Sequence, residues 1–142
     1  MAGINTGKVI TGGLVAGVVL NVLDFLNNYL IVGKDFEANA TRLNLDPAAA
    51  ATPTGIATWV VIDFIMGILI VWTYAAMRPR LGPGPKTAIF AGIVPWLGIA
   101  LVMFGLTQGG IFSTALWMKM AVITLVITCI GSVTGAMVYK EA

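Results

Sequence analysis

Three side chains able to carry chemistry interrupt otherwise apolar stretches: Asp24 in Val22-Leu23-Asp24-Phe25-Leu26, Asp63 in Val61-Ile62-Asp63-Phe64-Ile65, and Lys119 in Trp117-Met118-Lys119-Met120-Ala121. A charge in hydrocarbon costs roughly 2.5–3.5 kcal/mol even on the lenient insertion scale, so each demands a partner, water or a function. Asp63 and Lys119 each lie about eight residues, ~12 Å, from the same ends of their helices, and Asp24 falls at a similar depth. The spacing predicts an intramembrane charged cluster of Asp24, Asp63 and Lys119, supported by Asn21, Asn28 and Tyr74. Two carboxylates against one ammonium leave a net negative charge, so one carboxylate must take a proton, bind a cation or reach water. Such a cluster suits a proton-coupled site or a structural bridge between Lys119 and one aspartate. A third reading has the Lys119 stem carry its ammonium out to the interface beside Trp117, which breaks the cluster.

The elements that must hold these groups are read from composition and punctuation. A chain of 142 residues that is 58% hydrophobic and 10% charged is an integral membrane protein of one domain, 1–142. Its apolar runs predict four spans, about 9–32, 55–77, 87–107 and 111–138, and hence an all-α, polytopic four-helix bundle in the lipid bilayer. No small-x-small cleavage pattern follows a short apolar core in the first run, so it reads as a retained helix. Arg78-Pro79-Arg80 is expected to end the second span, Leu81 to Lys86 to form a rigid turn, and Gln108-Gly109-Gly110 a tight reversal. Lys8, Arg78, Arg80, Lys86 and Lys140 gather on one side, which the positive-inside rule makes cytoplasmic: N-in and C-in. The 33–54 segment is then an external loop, and Phe36, Ala40 and Leu43 at helical spacing leave it open between a short interfacial helix and an ordinary surface loop.

Small residues mark the packing faces. Gly13, Gly17, Asn21, Asp24 and Asn28 recur at steps of four, four, three and four, which keeps them on one face of the first helix, small and then polar. Gly131 and Gly135 form a second GxxxG strip on the last helix, expected to meet the third span through Ala91, Pro95, Gly98 and Gly105, or else a separate subunit. Pro95 should kink the third span.

Several functions are disfavoured by what the chain lacks. It contains no histidine, the usual haem, copper and zinc ligand, and its single Cys129 lies in an apolar span and cannot form an internal disulfide. No nucleophile–base pair or metal-ligand set accompanies the carboxylates, and a net charge of +2 is too small to suggest nucleic acid. No catalytic residue, cofactor or metal is expected.

The stretch Trp72 to Ala88, WTYAAMRPRLGPGPKTA, together with Gly12-Gly13-Leu14-Val15-Ala16-Gly17 and Asn21, resembles a group of uncharacterised small four-helix bacterial inner-membrane proteins without known activity. The resemblance spans most of the chain and implies a multi-pass inner-membrane location, but carries no activity with it. Small multidrug transporters depend on a first-helix glutamate for which Asp24 would be the counterpart, yet Asp63 and Lys119 fit no part of that pattern. The reading that follows is a non-enzymatic, helix-packing accessory subunit of a homo-oligomer or larger membrane complex. The alternative is a small proton- or cation-linked transporter or channel using the two aspartates.

Overall fold

The computed structural model describes residues 3–140, and every regular element among them is helical. α1 (Thr6–Asn27) starts on Asn5, whose side chain accepts the Lys8 N–H, and runs through a π-turn (Asn28–Val32) into α2 (Gly33–Arg42). After a 3₁₀ turn (Pro47–Ala51), α3 (Pro53–Leu81) begins with Thr52 accepting the Gly55 N–H and proline in its first turn. α4 (Pro85–Gln108) and α5 (Thr114–Val138) complete the chain, the latter capped by Ser113 on the Leu116 N–H. Four helices are long and apolar enough to cross a membrane: α1 continued by α2, α3, α4 and α5.

Three boundaries differ from those expected. α3 does not stop at Arg78 but includes Pro79 and ends at Leu81, where Gly82 takes φ 79° and its N–H bonds the Arg78 carbonyl. Proline so close to a helix end forfeits a single backbone bond, and the glycine rather than the proline breaks the helix. α5 begins at Thr114, three residues later than Ile111, because Gly110 adopts φ 73° and Ser113 makes the cap. The 33–54 loop is largely helical: α2 continues α1 and ends on Asn44 at φ 55°, with the Leu45 N–H returned to Ala40. α4 continues through Pro95 without a break in the helix.

α1 packs along α3 and α5, and α4 along α5 and α3, so the four long helices form a ring. Glycines set the two closest crossings. A Cβ on Gly13 would stand 2.5 Å from Ile68 Cα, and one on Gly17 2.9 Å from Phe64 Cα, so α1 and α3 meet backbone to backbone. Gly135 and Gly12 make the matching crossing of α5 on α1, and Gly131 seats Leu20. The Gly131–Gly135 strip is therefore spent on the first helix, not the third span. α4 reaches α5 instead through Gly92 against Ser132 and through the buried Ser132 hydroxyl, which donates to the Ala88 carbonyl.

The ring is closed at one end and open at the other. At the end where Asn5 meets Tyr139, Val9, Val71, Tyr74, Ala75, Ala88 and Ala91 form a dense core, with Tyr139 edge-on to Tyr74. Towards the α2 end the same faces lose their cover. Ala91, Gly98 and Gly105 recur every seven residues and so share a face to within about 20° per step. Ala91 is fully buried, whereas a Cβ at Gly98 or Gly105 would meet nothing within 4 Å. On α3 the corresponding series Ile70, Asp63, Ile56 goes from 0% exposed, through half-buried, to 55% exposed. α3 and α4 are in contact elsewhere along their length, and we read the uncovered stretch marked by Ile56, Gly98 and Gly105 as a gap between them towards the α2 end.

Candidate functional site

Asp63 lies half-buried on the α3 face that also carries Ile70 and Ile56, and its carboxyl neighbours that of Asp24 on α1. The Gly13–Gly17–Gly67 crossing brings the two helices close enough for side chains this short to touch. Two ionised carboxylates side by side repel, and a proton taken up between them leaves such a pair with a single negative charge. Both aspartates are half-buried.

Of the predicted supports, Asn21 stands beside the pair: its amide donates to Gly17 O at 2.9 Å and reaches Val60 O at 3.4 Å across the α1–α3 seam. Asn28 and Tyr74 do not join it. The Asn28 amide turns back on the carbonyl of Asp24, capping its own helix, and the Tyr74 hydroxyl accepts the Gly84 N–H at the closed end of the bundle, about 16 Å along α3 from Asp63.

Lys119 also leaves the predicted cluster. Its Nζ donates to Asp35 Oδ2 at 2.6 Å and to Ile31 O at 3.2 Å. The physical reason is depth. With α5 starting at Thr114, Lys119 is five residues or about 7.5 Å inside its helix, whereas Asp63 is ten residues or about 15 Å inside α3. An ammonium one turn from the boundary is better satisfied by moving outward than by descending. The π-turn, which adds a residue to the helical turn and rotates every face after it, brings Asp35 to meet it.

α2 is thereby fastened over the α4–α5 turn. Arg42 Nη2 donates to Gly110 O at 2.8 Å and Ile111 O at 3.1 Å, and the Asn39 amide also bonds Ile111 O. A cavity of about 340 Å³ lies under this strap, lined by Asp35, Ala38, Asn39, Arg42, Ser113, Ala115, Leu116 and Lys119. Sequence reasoning missed it, although Lys34 to Arg42 carried the signal of a short helix with charge at both ends.

One further polar residue, Asn27, was missed. Asn27 is 7% exposed, and its Oδ1 has no partner among the described residues. Its place one turn beyond Asp24, on the strip of Ala16 and Leu20, was available from the periodicity. Trp96 and Trp117 tie α4 to α5: the Trp117 indole donates to Ala100 O at 3.0 Å and that of Trp96 to Ala121 O at 3.1 Å. Among the described residues no group of acidic, cysteine or histidine side chains could hold a metal ion.

No family model, curated protein or solved structure matches this chain.

Proposed function

We propose that this chain is a non-enzymatic subunit of a larger bacterial inner-membrane assembly, and that the α3–α4 gap receives a partner's transmembrane helix bearing one lysine or arginine at mid-depth. The observation that carries this reading is an acid pair brought together beside an uncovered stretch of α3 and α4, with no cationic side chain beside it among the described residues. Charge selects the occupant. One shared proton leaves the pair at −1, and a single cation neutralises it. A second copy of this chain would bring two more carboxyls, and its Lys119 is engaged by Asp35. Shape supports the same occupant, because bare Gly98 and Gly105 let a helix backbone approach α4 closely. The glycine strips that first suggested self-association are used inside the chain. The basic residues at the end carrying both termini support a cytoplasmic location for that end.

The test places the full chain in lipid nanodiscs with a labelled poly-leucine transmembrane peptide carrying one central lysine, and reads association by energy transfer. The expected result is association at least tenfold tighter than for the all-leucine peptide, lost in the Asp24→Asn, Asp63→Asn double variant. Equal binding of both peptides, or unchanged binding by the variant, refutes the reading.

The second reading, proton- or cation-linked transport, rests on the same shared proton and on the gap's opening to lipid. Against it stands the filled core of Ile70, Val71, Ala16 and Leu20 across any path to the closed end. Ion flux in liposomes above that of empty vesicles, abolished by Asp63→Asn, would put transport in first place.

A further inference from the structure

We infer that the cleft beneath α2 is a second site, built to hold a phosphate-bearing anion presented from the lipid headgroup layer. Its lining carries two cations, Lys119 and Arg42, against one carboxylate, Asp35. The donors are not exhausted by the contacts that fasten the strap. Among the described residues Lys119 uses two of its three N–H groups, on Asp35 and Ile31, and Arg42 directs Nη2 alone to Asn39, Gly110 and Ile111. A guanidinium has five N–H donors and no acceptor, so Nε and Nη1 remain suited to an oxygen-rich anion. The start of α5 is not the anchor, since Ser113 already caps the Leu116 N–H.

Depth and wall chemistry favour a lipid as the source of that phosphate. α5 is 25 residues long, about 36 Å against a hydrocarbon core of about 30 Å, so its first turn and the strap above it stand at the headgroup boundary. Ala38, Ala115 and Leu116 give the cleft an apolar side next to its charged one, matching an amphiphile rather than a free ion. The cavity of about 340 Å³ accommodates a headgroup and its glycerol neck but not a whole lipid. An anionic headgroup here binds α2 and α5 at once and competes with Asp35 for Lys119.

The experiment measures thermal unfolding of the full chain in neutral detergent with added phosphatidylglycerol, phosphatidylcholine or inorganic phosphate. Phosphatidylglycerol is expected to stabilise at concentrations at least tenfold lower than phosphatidylcholine. Arg42→Gln should weaken that response by about tenfold, the size of one lost charge-assisted hydrogen bond. Because Arg42 also holds the strap, Ala38→Phe provides a second variant that fills the cleft from an exposed position while keeping every charge, and it should abolish the preference. Stabilisation by inorganic phosphate that equals that of phosphatidylglycerol overturns the lipid source. Equal responses to both lipids, or an unaltered preference in Ala38→Phe, overturn the site.

Discussion

Gly67→Ala and Gly98→Ala make the same chemical change on neighbouring helices, and the structure assigns them opposite signs. A Cβ on Gly67 would stand 2.6 Å from Gly17 N and 3.0 Å from Gly17 Cα, both backbone atoms that no side-chain rotation can move. Ordinary carbon contacts lie near 3.5–4.0 Å, so α1 and α3 must separate by about 1 Å at their tightest crossing. Overpacking of this kind costs about 1–3 kcal/mol, set against about 0.5–1 kcal/mol gained by replacing glycine within a helix. The expected net loss for Gly67→Ala is about 1–2 kcal/mol. At Gly98 nothing lies within 4 Å, so only the gain of about 0.5–1 kcal/mol remains. The variants should therefore differ by about 2 kcal/mol, roughly thirtyfold in the unfolding constant, measured by reversible unfolding in mixed micelles of neutral detergent and dodecyl sulfate. A stable Gly67→Ala would mean that α1 and α3 do not touch through their backbones, and a destabilised Gly98→Ala would mean that the α3–α4 gap is closed.

Other consequences are tested more briefly. Asp35→Asn keeps a hydrogen-bonding group but removes the charge opposite Lys119, so residues 33–42 should exchange amide hydrogens faster while the closed end is unchanged; uniform exchange across both regions would contradict the strap. Trp117→Phe retains the ring packed against Phe104 and loses only the indole bond to Ala100 O, for an expected cost of about 1 kcal/mol by the same micelle assay. A loss above about 3 kcal/mol would show that this tryptophan fills a cavity rather than bridging two helices.

What was legible in the sequence was everything that depends on hydrocarbon as solvent. Long apolar runs have few alternatives to spanning helices, so the number and order of the spans follow from composition, and the small-then-polar face of α1 follows from helical period alone. Helix ends were less legible because they depend on single glycines at positive φ, and a shift of three residues at the start of α5 was enough to move Lys119 out of its predicted cluster. The π-turn at Asn28–Val32 has no sequence signature, yet it decides which residue of α2 meets that lysine.

Partner choice among glycines was illegible for a related reason. A GxxxG strip states how closely a helix can be approached but not by which neighbour, and here Gly131 and Gly135 went to α1 while Gly98 and Gly105 were left bare. That outcome connects the fold to the candidate site. The Lys119–Asp35 pair fastens α2 to α5 and the Arg42 bonds fasten it to the α4–α5 turn, while among the described residues no comparable bond joins α3 to α4 at that end. The strap thereby engages the lysine that the helix spacing had put beside the acid pair, and leaves it bonded to Asp35 instead. On the proposed reading Asp24 and Asp63 then stand together with no cation beside them among the described residues, which is the condition under which a cation from another molecule gains the most by entering.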